Sequence, residues 1–171
     1  YKPELKELAP AAHPAFFKGY RRSDGRVGVR NSLWIIPTVG CVNGVVQAIA
    51  REFEKVLPAC PWIDKVVAFP HNYGCSQLGD DHENTRKILA DMVHHPNAAG
   101  VLVVSLGCEN NQLEAFKDLV GPVDEARVKF FVSQKVRGDE VAYGLGLLRS
   151  IAAAAKDDHR EDVPVSALKI G

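Results

Sequence analysis

Short apolar runs that end in Gly-Cys constrain this chain more than any other feature of its sequence. Three of the four cysteines, Cys41, Cys75 and Cys108, follow a glycine just after such a run. With glycine at an average usage of about 7%, chance gives this arrangement on the order of once in a thousand chains. The cysteines are 34 and 33 residues apart, a length typical of one strand, one helix and their connections. The spacing therefore predicts repeated strand–loop–helix units with a cysteine in each loop.

Stretches of helical period separate these apolar runs, and the alternation indicates βαβ units. Strands are predicted at 33–37, 65–69, 100–106 and 128–133. Helices are predicted at about 44–57, 81–94, 112–119 and 139–155, with Asp80 as the N-cap of the second. The predicted fold class is α/β, a three-layer Rossmann/flavodoxin-like domain around a mostly parallel sheet of four or more strands.

The sequence also divides into three regions. Residues 1–18 contain three prolines and are predicted to form a linker or N-terminal arm, residues 19–156 the α/β domain, and residues 157–171 a C-terminal tail leading to a downstream domain. Lysine and arginine number 21, as do aspartate and glutamate, so no net charge attracts nucleic acid. No apolar stretch approaches the roughly 20 residues that a membrane helix needs. We expect a cytoplasmic protein without nucleic-acid or membrane partners.

The three Gly-Cys loops are expected to meet at one edge of the sheet, because parallel strands end on the same side. Neighbouring strands are about 4.8 Å apart, so three such loops lie within roughly 10 Å of each other. Three thiolates without a fourth would leave a metal ion with an open position, as catalytic sites require. Two alternatives remain: cysteines that pack as small apolar side chains, and a redox relay, for which the chain has no CxxC pair. Cys60 lacks the glycine context and is expected to be structural.

Polar side chains in the same loops could bind a polyhydroxylated substrate. His71 directly follows a predicted strand and belongs to the residue type that titrates near neutrality, so it is a candidate acid or base. Glu109 and Asn110 follow Cys108, and Asn43 follows Cys41. Asn43 is also a good helix cap, which is its structural alternative.

A glycine-rich segment, 19–31, precedes the first predicted strand and is expected to form a turn or hairpin. Its Arg26 and Arg30, with Asn31, could clamp a carboxylate. The alternative is a surface hairpin whose arginines pair with nearby acids. No GxGxxG or P-loop pattern follows the first strand, which argues against a nucleotide site, although a flavodoxin-like phosphate binder remains an alternative.

Four motifs resemble the altronate and galactarate dehydratase family of sugar-acid hydro-lyases, most closely its altronate dehydratase branch. They read GYRRSDGRVGVRN, LWIIPTVGCVNG, FPHNYGCSQLGDDHENTR and HPNAAGVLVVSLGCENNQ. The resemblance covers about residues 17–134. In that family this region is the middle of a longer polypeptide, so the sugar acid and the remaining domains of the parent enzyme are the expected partners. A homo-oligomer is compatible with the resemblance.

The resemblance implies an iron-dependent dehydration of D-altronate to 2-keto-3-deoxy-gluconate, with galactarate as the alternative substrate. Iron would be held by Cys41, Cys75 and Cys108, either as Fe²⁺ or as an iron–sulfur cluster, with Mn²⁺ as another candidate metal. A lone Fe²⁺ would instead bind imidazole and carboxylate groups, and the cysteines would surround those ligands without binding the metal. His71 or Glu109 would move protons, and Arg30, Asn31, Asn43 and Asn110 would bind the substrate. The isolated chain is expected to be inactive, and a non-catalytic binding or assembly domain is the alternative.

Overall fold

A computed structural model describes residues 15–169 of the chain. In chain order the main elements are β1 (Phe16–Arg21), β2 (Val27–Gly28), β3 (Ser32–Pro37), α1 (Asn43–Glu54), β4 (Val66–Ala68), α2 (Gly79–Val93), β5 (Ala98–Ser105), α3 (Leu113–Val120), β6 (Val128–Val132), α4 (Glu140–Ala154) and β7 (Glu161–Pro164). Most of the predicted strands and helices lie within about three residues of these bounds.

The main sheet has four parallel strands in the order β4-β3-β5-β6. The connection from β3 leads to β4 on one side, whereas β5 pairs with β3 on the other and β6 follows beyond it. The strand order therefore reverses between β3 and β5, and the carboxyl ends of these two strands form the switch point at which such sheets bind ligands. The predicted α/β class and parallel sheet are confirmed.

Helices cover both faces of this sheet. α1 and α4 pack on one face, where Ile49, Phe53, Leu148 and Ile151 are fully buried. α2 and α3 pack on the other, where Leu89, Val93 and Phe116 cover Ile36, Val101 and Val103. The strands are apolar on both sides because both sides are covered. The three predicted layers are therefore present.

The start of α2 differs from the prediction that Asp80 is its N-cap. The helix begins at Gly79, and extended Leu78 occupies the N-cap position without a side-chain cap. Gly79 has a φ of 57°, a left-handed conformation that glycine adopts without strain, and it turns the chain into the helix two residues earlier than predicted. Asp80 and Asp81 consequently lie in the first turn, where a carboxylate favours the positive end of the helix dipole. Within residues 15–169, no helix has the length and apolar character required to cross a membrane.

A second, antiparallel sheet of order β2-β1-β7 lies beside the amino ends of the parallel strands. β1 and β2 form the hairpin predicted for 19–31. β1 also crosses residue 18, the predicted boundary between the N-terminal arm and the α/β domain. It pairs with β7, which lies in the segment predicted as a tail. Residues 1–14 of the predicted arm and 170–171 of the tail lie outside the described range.

A partly buried charge cluster joins this small sheet to the main one. Asp158, which follows α4, accepts hydrogen bonds from Arg127 Nη1 at 2.9 Å and Nη2 at 2.7 Å. It also accepts one from Arg22 Nη1 at 3.2 Å. Arg22 further donates to the carbonyls of Pro96 and Arg30. We call Arg22, Arg127 and Asp158 the amino-end cluster.

Gly100 on β5 allows α4 to approach the sheet closely. A Cβ at this position would lie 2.2 Å from Ile151 Cγ2 and 2.6 Å from the carbonyl oxygen of Arg127. We expect Gly100→Ala to lower the free energy of unfolding by about 1–3 kcal/mol, the usual cost of overpacking a core. Gly146→Ala in α4 is the matched control, because nothing lies within 4 Å of its added Cβ, and it should stabilise the helix by about 0.5–1 kcal/mol. Urea denaturation of both variants checks this; equal midpoints would contradict the close packing at Gly100.

Candidate functional site

The three Gly-Cys cysteines lie in the loops that leave the carboxyl edge of the parallel sheet. Cys41 is in a 3₁₀ turn, Gly40–Val42, after β3. Cys75 is in the loop between β4 and α2, and Cys108 follows β5. All three are free and exposed, whereas Cys60 is half-buried elsewhere. We call the three loops and their thiols the cysteine edge.

Hydrogen bonds join these loops to one another. The N–H of Gly40 donates to the Tyr73 carbonyl at 2.7 Å. The Asn43 amide donates to the His71 carbonyl at 2.8 Å and accepts from the His71 N–H at 3.3 Å. Asn110 Nδ2 donates to the Cys75 carbonyl at 3.0 Å. Asn43 and Asn110, both predicted to bind substrate, thus lie at the cysteine edge and hold its loops together.

The glycines before the cysteines serve this loop packing. A Cβ on Gly40 would lie 2.8 Å from the His71 carbonyl oxygen. Gly107 has a φ of 126°, and its Cβ would lie 2.9 Å from Val132 Cγ1. A glycine before a cysteine can permit close approach to a ligand, but at these two positions the close neighbour is another part of the chain.

His71 also lies at this edge, with both ring nitrogens hydrogen-bonded. Nε2 is 3.0 Å from the Pro37 carbonyl oxygen, and Nδ1 accepts from the Tyr73 N–H at 3.2 Å. These partners define a neutral imidazole with its proton on Nε2. To act as an acid or base, His71 must first release one of these bonds.

Glu109 is buried at the switch point, with only 2% of its surface exposed. Its Oε1 accepts from the hydroxyls of Thr38, at 2.8 Å, and Ser105, and from the Leu106 N–H at 3.1 Å. Its Oε2 accepts from the Gly107 N–H at 2.6 Å. The carboxylate therefore connects the end of β3 to the loop after β5.

These contacts keep Glu109 ionised. Burial by itself raises the pKa of Glu109, but the hydrogen bonds from Ser105, Gly107, the residue's own N–H and Thr38 outweigh it. The pKa consequently lies below its ordinary value of 4.5. A carboxylate so fully engaged is a weak base, and the geometry favours a positioning role over the predicted proton transfer.

Arg30 and Asn31, also predicted to bind substrate, precede β3 and lie at its amino end. Asn31 is fully buried and bonded on both sides of its amide: Oδ1 accepts from Arg22 Nη1 and Nδ2 donates to the Trp62 carbonyl, each at 2.8 Å. Six strand residues separate the ends of β3, roughly 20 Å at 3.3 Å per residue. The structure does not bring these two residues to the cysteine edge. Arg26 pairs with Asp24, as the surface-hairpin alternative expects.

The cysteine edge does not form a metal site by itself. Within residues 15–169, no group of three or more histidine, cysteine, aspartate or glutamate side chains is arranged to hold a metal ion. Cys108 Sγ accepts a long hydrogen bond of 3.7 Å from Gln134 Nε2. The predicted three-cysteine iron site therefore does not fit the described residues taken alone.

Two polar residues near the switch point were not singled out as candidate site residues by sequence reasoning. Arg86 lies on α2 three, four and seven residues before Leu89, Ala90 and Val93, which are buried. This spacing places Arg86 on the core-facing stripe of the helix, and it was the available signal. Asn111 is one of the polar residues that follow Cys108, with the start of a helix as its structural alternative, yet it is only 6% exposed. No local pattern distinguishes it from exposed Asn110.

Comparisons with known proteins give one consistent result. The sequence profile described as "D-galactarate dehydratase/Altronate hydrolase, second domain" matches residues 19–156. Over all 171 residues the chain is 50% identical to an altronate dehydratase of Bacillus subtilis and 47% identical to an altronate dehydratase of Escherichia coli, covering 34% of each. Over 154 residues, which are 89% of this chain, it is 28% identical to a (2R)-sulfolactate sulfo-lyase subunit beta of Chromohalobacter salexigens. The match covers 36% of that protein. The chain thus spans about a third of the length of these relatives.

Proposed function

Because this chain belongs to the second-domain family of D-galactarate dehydratases and altronate hydrolases, we propose that it is the α/β domain of a sugar-acid dehydratase. The observation that carries the proposal is the similarity of the whole chain, at 50% and 47% identity, to two altronate dehydratases. D-altronate is the proposed substrate, 2-keto-3-deoxy-gluconate the product, and galactarate the alternative substrate.

Dehydration of a hexonate requires three kinds of help from a site. A base removes the proton from the carbon beside the carboxylate, an acid assists the hydroxide that leaves the next carbon, and positive charge or hydrogen-bond donors stabilise the enediolate between them. The enol formed by loss of water then converts to the 2-keto acid. In this chain the cysteine edge supports such a site, since it lies at the switch point and presents exposed polar groups.

His71 is the residue at this edge best suited to proton transfer. Its Nδ1 holds no proton in the tautomer that its partners define, and the bond it accepts from the Tyr73 N–H is 3.2 Å long. Displacement of that weak bond would free a basic nitrogen. Glu109 is assigned a different task, because its lowered pKa and four hydrogen bonds fix it as a carboxylate that holds the loops.

Iron stays a prediction from the family resemblance, whether as Fe²⁺, as a cluster, or replaced by Mn²⁺. Since residues 15–169 contain no three-ligand group, a metal bound at the cysteine edge would need ligands from other parts of the protein. The exposure of Cys41, Cys75 and Cys108 is compatible with such a shared site. A cytoplasmic location and a homo-oligomeric state also stay predictions.

A non-catalytic binding or assembly role for this domain is the second candidate. It is favoured by the same absence of a three-ligand group within residues 15–169 and by the coverage of only 34% of the relatives. In both cases we expect the isolated 171-residue chain to be inactive. The two candidates differ in whether residues of this chain are needed for turnover.

Cys75→Ser in the full-length polypeptide tests this difference. After anaerobic purification, we expect about a 10- to 100-fold loss of D-altronate dehydration, with a parallel loss of iron, as when supporting groups of a metal site are removed. Cys60→Ser is the matched control, because Cys60 lies away from the edge, and it should retain both. If Cys75→Ser kept wild-type iron and activity, the thiol would have no role in the reaction. Turnover of galactarate instead of D-altronate by the wild type would change the substrate assignment.

A further inference from the structure

A small pocket lies beneath the cysteine edge, between the loops that follow β3, β4 and β5 and the first half of α2. Its walls include Thr38, Gly74, Thr85, Arg86, Glu109 and Asn111. Its volume of about 10 Å³ is close to the minimum that holds one water-sized group. We call this cavity the Asn111 recess.

Polar atoms around the recess lack partners. Neither Oδ1 nor Nδ2 of Asn111 has a hydrogen-bond partner in the described part of the chain, and the same holds for Nε of Arg86. The rest of the Arg86 guanidinium is fixed, since Nη1 donates to Glu83 and Nη2 to the Ala115 carbonyl, each at 3.0 Å. Buried polar groups in native proteins almost always have partners, so an unpaired amide and an unpaired N–H beside one cavity indicate an occupant.

The unpaired atoms and the charges define what this occupant is. Asn111 Oδ1 needs a donor, whereas Asn111 Nδ2 and Arg86 Nε need an acceptor, so the occupant must both donate and accept. The ionised Glu109 disfavours an anion, and the Arg86 guanidinium disfavours a cation. A neutral hydroxyl group, of the size of one water, meets all of these requirements.

We propose that the Asn111 recess binds one hydroxyl group of the substrate, with Asn111 and Arg86 as its hydrogen-bonding residues. The inference rests on the proposed function, which supplies a polyhydroxylated acid. Gly74 precedes Cys75, and Glu109 follows Cys108, so a molecule lying along the cysteine edge has the recess beside it. Asn111 is closed to solvent in this structure, and entry of the hydroxyl requires the surrounding loops to rearrange. The recess would thereby select acids by the presence and position of one hydroxyl.

Deoxy substrates and an isosteric variant test the proposal in the full-length polypeptide. The probes are D-altronate and its 4-, 5- and 6-deoxy analogues, which keep the reacting carbons intact. On the wild type we expect one analogue to lose at least about 100-fold in kcat/KM, because a site built to bond a hydroxyl strongly rejects a substrate without it. Asn111→Leu should raise the KM for D-altronate and reduce this penalty to below about 10-fold. Its melting temperature should stay unchanged or rise, since the substitution removes the unpaired amide.

Asn84→Leu is the matched control, because Asn84 is an exposed asparagine on α2, and it should keep wild-type kinetics. A wild-type KM and unchanged analogue ratios in Asn111→Leu would overturn the proposal and leave a structural water as the occupant. If Asn111→Leu does not fold, the deoxy analogues on the wild type test the proposal alone. The proposal is then overturned if none of them shows a selective loss of kcat/KM. A wild type that dehydrates no sugar acid would refute the proposed function and the recess together, an outcome distinct from the loss of the recess alone.

Discussion

Glu109→Gln is expected to lower the free energy of unfolding by about 2–4 kcal/mol, the cost of losing charge-assisted hydrogen bonds and leaving buried donors unpaired. Glutamine keeps the shape of the side chain and one acceptor oxygen. If that oxygen takes the place of Oε1, it still accepts from Thr38 and Ser105. The new NH₂ group then faces the Gly107 N–H, which has donated to Oε2 at 2.6 Å. Two donors cannot bond each other, so the loop carrying Cys108 loses its anchor. Urea denaturation at pH 7 measures the effect.

The loss of stability in Glu109→Gln should also depend on pH. The pKa of Glu109 is lowered in the folded state, so the carboxylate contributes stability above its ordinary pKa of 4.5, and this contribution disappears as the pH falls through the folded value. The wild type and Glu109→Gln should therefore differ most near neutrality and converge in acid. Glu114→Gln, which changes an exposed glutamate on α3, is the control and should stay close to the wild type. Parallel curves for the wild type and Glu109→Gln would contradict an ionised Glu109.

Asp158→Asn is expected to destabilise the chain by about 2–4 kcal/mol, somewhat less than the usual cost of removing one partner from a fully buried ion pair. The side chains of Arg22 and Asp158 are only 14% and 16% exposed. Burial lowers the pKa of Arg22, against the opposing attraction of Asp158. The hydrogen bonds that Arg127 donates to Asp158 raise the pKa of Arg127. Without the carboxylate, two guanidinium groups remain close together without their hydrogen-bonded counter-charge, and only the more distant attraction of Asp124 and Asp157 acts on Arg127.

Thermal unfolding of Asp158→Asn and of Asp157→Asn, at the neighbouring position, separates the contribution of the amino-end cluster to stability from that of surface charge in general. Asp157 is exposed, so its substitution should change stability by no more than about 0.5 kcal/mol. Replacing Arg22 by methionine in the Asp158→Asn background should recover part of the loss, because it removes an uncompensated charge. Equal melting temperatures for the two aspartate variants would show that the amino-end cluster adds no stability.

The sheet and the cysteine edge could be predicted because their signals are local. Apolar runs bounded by glycine and proline defined the strands, and the parallel βαβ rule then placed Cys41, Cys75 and Cys108 on one side. Ile49 and Phe53 lie four residues apart on α1, the spacing of one helix face, and both are buried. These inferences needed only period, length and handedness.

What the sequence did not reveal depends on contacts between distant residues. Arg30 and Asn31 have the right chemistry for a carboxylate clamp, but Asn31 bonds Arg22 and Trp62 at the amino end of β3. Glu109 resembled a proton donor until the contribution of Thr38, 71 residues earlier, was known. Asn110 and Asn111 are neighbours with opposite exposure, which only the packing of the loop determines.

The amino-end cluster and the cysteine edge occupy opposite ends of the same strands, and this separation has an evolutionary consequence. Active-site innovation usually costs stability, and the fold must absorb that loss elsewhere. Here the ionic anchor of Arg22, Arg127 and Asp158 shares no hydrogen bond with the loops around Cys41, Cys75 and Cys108 among those found in residues 15–169. Substitutions in these loops therefore leave the hydrogen bonds of the anchor intact, and a loss of stability caused by changing the loops is confined to one end of the sheet.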